Sequence, residues 1–65
     1  MSIENAVKSM RREADACFER ARELAQVMAQ AVTPEDLFDN QEAYAYEIAR
    51  AKAFMDAAFL LEKQK

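Results

Sequence analysis

The 65-residue chain contains no glycine, no histidine and no tryptophan, and it has one proline and one cysteine. Without glycine, a phosphate-cradling loop is excluded and a turn-rich β fold loses its usual corner residue. Without histidine, no imidazole is present for metal binding or acid/base chemistry. Cys17 alone cannot form an intramolecular disulfide, and the N-terminus lacks the basic stretch and apolar run of a secretory signal, so a cytoplasmic location is expected. Even the apolar stretch from Leu24 to Val32 is cut by Gln26 and Gln30, far short of the roughly 20 residues of a membrane span. No membrane partner is expected.

Bulk is scarce too. Hydrophobic residues make up 52% of the chain, but 14 of them are alanine and only nine are Val, Ile or Leu. Below about 70 to 80 residues a single core seldom supplies more than about 3 to 5 kcal/mol, so a source of stability beyond the monomer is expected. Nine basic and twelve acidic residues leave a net charge of -3, which gives no general attraction to nucleic acid or an anionic membrane.

What the chain does contain is helical periodicity. Ile3, Val7, Met10, Ala14, Cys17, Ala21, Leu24, Met28 and Ala31 alternate spacings of four and three, which is a heptad stripe. Ser2 suits an N-cap and Glu4 complements the positive helix end, so a first helix is predicted over about 3–31. Glu4 with Lys8, Arg11 with Asp15, Glu19 with Arg22 and Arg20 with Glu23 lie at spacings that pair along a solvated face. Thr33, Pro34, Glu35 and Asp36 read as an N-cap, a proline in the first turn and two acids behind it. This predicts a turn at about 32–34 and a second helix over about 35–63. Asp39 followed by Glu42 forms a second possible capping box, which would break that helix near 38–40.

The second stripe runs Leu37, Gln41, Tyr44, Ile48, Ala51, Met55, Ala58 and Glu62. Antiparallel packing then opposes Leu24 to Tyr44, Ala21 to Ile48, Cys17 to Ala51, Ala14 to Met55 and Met10 to Ala58, with small residues facing large ones in most layers. The expected fold is an all-α, antiparallel two-helix hairpin forming a single domain over 1–65. One hairpin covers one face of each helix, whereas Tyr46, Ala49, Ala53, Ala57 and Leu60 make a second apolar line on the far side of helix 2. Phe18, Tyr46, Phe54, Phe59, Leu60 and Leu61 are therefore expected at a self- or partner interface, and two hairpins are expected to pair as a homodimeric four-helix bundle.

Candidate chemistry is thin. Cys17 lies mid-helix on the apolar stripe, where core packing accounts for it better than reactivity. Glu35, Asp36, Asp39, Glu42 and Glu47 stand in a stretch with no basic residue between Arg22 and Arg50, which predicts an acidic end, with Glu35, Asp36, Asp39 and Glu42 suited to docking on a basic protein surface. Their spacing also matches helix capping, and no Glu-x-x-His pair of the di-iron kind exists, so no metal is expected. No nucleophile, base and oxyanion-donor set is visible, so neither a catalytic residue nor a cofactor is assigned. The expectation is a non-enzymatic interaction module that masks, inhibits or chaperones an unidentified protein, in the manner of a phage or mobile-element accessory protein or an antiactivator. Two alternatives are a small secretion-type chaperone and a regulatory nucleic-acid-associated protein using Lys8, Arg11, Arg12, Arg20 and Arg22. Acids alternate with those basic residues and no recognition helix follows a turn, so a nucleic-acid partner is not expected.

Overall fold

The computed structural model describes residues 2–64, which form two helices, α1 (Ile3–Ala29) and α2 (Pro34–Glu62), joined by a short connection. Ser2 adopts an extended conformation and its Oγ accepts the Asn5 backbone N–H at 3.1 Å, with Glu4 in the first turn. Thr33 does the same for α2, accepting the Asp36 N–H at 3.1 Å, with Pro34 opening the helix and Glu35 and Asp36 in its first turn. Each cap satisfies a backbone donor that the helix leaves unpaired.

α1 stops two residues before the expected end. The N–H groups of Gln30 and Ala31 reach back to Val27 O and Met28 O, both at 3.1 Å, a tightening to the i→i+3 pattern common at helix ends. The residue before a proline is driven toward extended backbone, and Thr33 takes up that conformation. Of the two alternatives, a continuous second helix and one broken near 38–40, the structure has the first: α2 is continuous from Pro34, with Thr33 rather than Asp39 as its cap. Asn40 Nδ2 donates to Asp36 O at 2.7 Å across that stretch.

The helices fold back antiparallel, since Arg11 near the start of α1 pairs with Glu62 at the end of α2, while Arg20 pairs with Glu47 nearer the connection. The result is a rod of 49 × 14 × 13 Å. Its fully buried apolar residues are Val7, Ala14, Cys17 and Ala21 on α1 and Ala51 and Ala58 on α2. All six lie on the predicted stripes, and five of them are alanine or cysteine, side chains too short to hold the backbones far apart. Met10, Leu24, Met28, Tyr44 and Ile48 are half-buried around them.

Several stripe positions are corrected. Ile3, Leu37 and Met55 are 36%, 45% and 50% exposed and Gln41 is exposed, while Phe54 and Leu61, off the stripe, are half-buried. The exchange at Met55 has a simple origin: α2 is apolar around a wide arc, so more than one large side chain can flank the buried Ala51 and Ala58 at little cost.

Candidate functional site

Three features lie on the surface of the rod. The first is a groove of about 380 Å³ between the helices, lined by Ala14, Phe18, Met55, Ala58 and Phe59 and rimmed by Arg11, Asp15 and Glu62. Phe18 is 38% and Phe59 58% exposed. Arg11 bridges to Glu62 across the groove rather than to Asp15, its expected partner along the helix. Lys63 Nζ lies 4.6 Å from the centroid of the Phe59 ring, a cation–π contact that covers part of that ring.

The second is the outer face of α2. Tyr46 and Leu60 are exposed there, as are Ala49 and Ala53 between them, while Ala57 is half-buried. Phe54 and Leu61, expected at the same interface, are half-buried against the hairpin instead. The Arg50 guanidinium sits 5.5 Å from the Tyr46 ring and 5.9 Å from the Phe54 ring, between the outward aromatic and the inward one.

The third is the connecting end. Glu35, Asp36, Asp39 and Glu42 are all exposed, and none forms an ion pair with another described residue. Val27, Val32, Leu37 and Phe38 are exposed beside them, and Val27, Gln30, Ala31, Val32, Asp36 and Asn40 line a shallow recess of about 350 Å³. Phe38 was invisible to the stripe reading, because it belongs to neither heptad line. Its type and its distance from both stripes were the available signal.

Sequence reasoning also missed the role of Glu47. Its carboxylate reaches across the helix interface, with Oε2 accepting from Arg20 Nε at 2.5 Å and Oε1 lying 3.7 Å from Arg50 Nη1. Oε1 is buried and accepts no hydrogen bond from a described residue. The bond to Glu47 is the main cause that holds the Arg20 guanidinium above its ordinary pKa. Arg20 thus turns from Glu23, its expected partner, to the other helix. Its Nη2 also lies 3.4 Å from Cys17 Sγ, so a cation does approach the thiol from one side. Cys17 remains wholly buried, with no exposed surface, as its stripe position required.

Arg11, Arg20 and Arg22 are each drawn into an ion pair, the last with Glu19 at 3.9 Å, so three of the five basic residues along α1 already face a carboxylate. Among the described residues no group of three or more Cys, Asp or Glu side chains converges to hold a metal ion, and no helix is long and apolar enough to cross a membrane. No family model, curated protein or solved structure matches the chain.

Proposed function

We propose that the chain is a small non-enzymatic interaction module that self-associates as a homodimeric four-helix bundle and modulates another protein by occupying its surface. One observation carries the reading: the side chains this fold buries completely are small, whereas most of its large apolar ones are left in water. No fully buried side chain is larger than that of Val7, while Phe38, Tyr46, Phe59 and Leu60 are each more than half exposed. Fully burying one large apolar side chain is worth roughly 1.5 to 3 kcal/mol, so the hairpin leaves unused much of the stabilisation its composition offers. Extended apolar surface of this kind is characteristic of protein contact sites.

The connecting end supplies the chemistry for a partner other than itself. Four unpaired carboxylates beside Val32 and Phe38 favour a protein segment that is basic and apolar together, since charge complementarity speeds and orients docking while burial of the apolar groups retains the complex. The modulating effect is then occupancy, as masking, inhibition or chaperoning, with no chemical step.

The experiment is sedimentation of the purified protein over a range of concentrations, combined with affinity capture from the native host using wild type and a Glu35→Lys/Asp39→Lys variant. The expected result is a mass above 7.4 kDa and a captured protein that the variant loses. A well-folded monomer that captures the same proteins as its charge-reversed variant would overturn the proposal.

A further inference from the structure

The outer face of α2 is symmetric about Ala53 in a way the groove is not. Ala49 and Ala57 lie four residues to either side of Ala53, and Tyr46 and Leu60 lie seven residues to either side. Large, small, small, small, large is therefore the same sequence of sizes read in either direction. In a two-fold contact between identical helices each residue meets the residue at the mirrored position of its copy, so this order sets the small residues together at the centre and the large ones together at both ends.

We infer that a second copy of this chain docks on this face, α2 against α2 and antiparallel, with the two-fold axis passing beside Ala53. The inference rests on the reading of the chain as a self-associating homodimer and departs from a closed bundle, because this face lies opposite the buried Ala51 and Ala58 and sets the four helices in a row. Ala53 then meets its own counterpart, Ala49 meets Ala57 of the copy, and Tyr46 meets Leu60 of the copy at both ends of the contact. At 1.5 Å per residue the line from Tyr46 to Leu60 is about 21 Å long. The alanine centre permits approach at the short end of the 8–10 Å range of helix separations, and the bulky ends close over it.

Charge complementarity supports the same register. Lys52 and Asp56 flank the line on one side, both exposed and neither ion-paired to another described residue. A two-fold axis perpendicular to the helices keeps each flank on its own side, so Lys52 of one chain comes within a turn of Asp56 of the other. Glu42 and Lys63 lie at nearly mirrored distances, eleven and ten residues from Ala53, so Glu42 of each chain comes near Lys63 of its copy at the ends of the contact. A parallel arrangement, with its two-fold along the helices, would instead carry the copy's Lys52 and Asp56 to the opposite flank, out of reach of their counterparts. The groove between Phe18, Met55 and Phe59 shows no such self-complementarity and stays open in this assembly.

The test places a single thiol on the proposed axis. In a Cys17→Ala background, Ala53→Cys should form an interchain disulfide nearly quantitatively under mild oxidation, because the axis brings the two Cα atoms within bridging range. Phe59→Cys in the same background should not. Lys52→Glu should weaken the dimer several-fold by sedimentation, and adding Asp56→Lys should restore it; this pair of variants leaves the alanine line untouched and does not depend on the cysteine chain folding normally. A dimer that cross-links through Phe59→Cys and not Ala53→Cys, or that ignores both charge changes, would overturn this face while leaving self-association standing. A wild-type protein that is monomeric at about 100 µM, where a contact stabilised by mass action should be populated, would overturn both.

Discussion

α1 and α2 are nearly equal in length, 27 and 29 residues, yet they use their apolar residues differently. α1 gathers them on one side: four of its residues are fully buried, and Ile3, Phe18 and Val27 are its exposed large hydrophobics. α2 buries only Ala51 and Ala58 and exposes Leu37, Phe38, Tyr46, Met55, Phe59 and Leu60. One helix is nearly complete once the hairpin closes; the other is only half covered. In a pair of helices that pack on each other, the less amphipathic partner is thus the one that marks where further contacts are made.

The largest expected effect breaks the face the two helices share. Ala51→Glu would bury an unpaired charge between the helices, where Ala51 has no exposed surface, at a cost of at least about 3 kcal/mol, which is comparable with the whole stability of a core this size. Helical circular dichroism should collapse at room temperature. Ala53→Glu, two residues away on the outer face, should keep its helical spectrum at high concentration and lose mass instead. Next comes a contrast between the helices: Leu60→Glu should shift the sedimenting mass toward 7.4 kDa and abolish the concentration dependence of the melting temperature, whereas Val27→Glu, at a similarly exposed position of α1, should do neither.

Local contacts give smaller effects. Thr33→Ala removes the oxygen that caps α2 and should cost about 1 kcal/mol in chemical denaturation, and Ser2→Ala should do the same for α1. A difference between them would show that one helix frays independently of the other. Glu47→Gln should cost less than about 1 kcal/mol, and the loss should shrink with added salt, because Arg20 is nearly half exposed. A large, salt-independent loss would mean that Glu47 holds the helices in register.

The features read correctly from the chain were those set by neighbours in sequence. The α1 stripe from Val7 to Ala21, the Ser2 cap and the start of α2 at Thr33 and Pro34 each depend on residues within a turn or two. What required the structure was choice among equivalents. Arg11 and Arg20 had carboxylates within reach on their own helix, and only the position of α2 showed that Glu62 and Glu47 win them. Met55 and Phe54 compete for one layer, and the wide apolar arc of α2 gives periodicity no means of deciding between them. The acidic end was legible as charge, but the valines beside it were not legible as a surface, since the connection brings Val27 and Val32 to one recess with Asp36 from segments with different periods.

Cys17 gives the molecule a built-in clock. Its sulfur is the only thiol in the chain and has no exposed surface, so a labelling reagent reaches it only in the moments when α1 and α2 part. The rate of thiol modification, compared with that of an unfolded peptide carrying the same residue, therefore measures how often the hairpin opens, without any engineered probe. In a population of single hairpins that rate is fixed; where a second chain must leave first, it slows as the protein is concentrated.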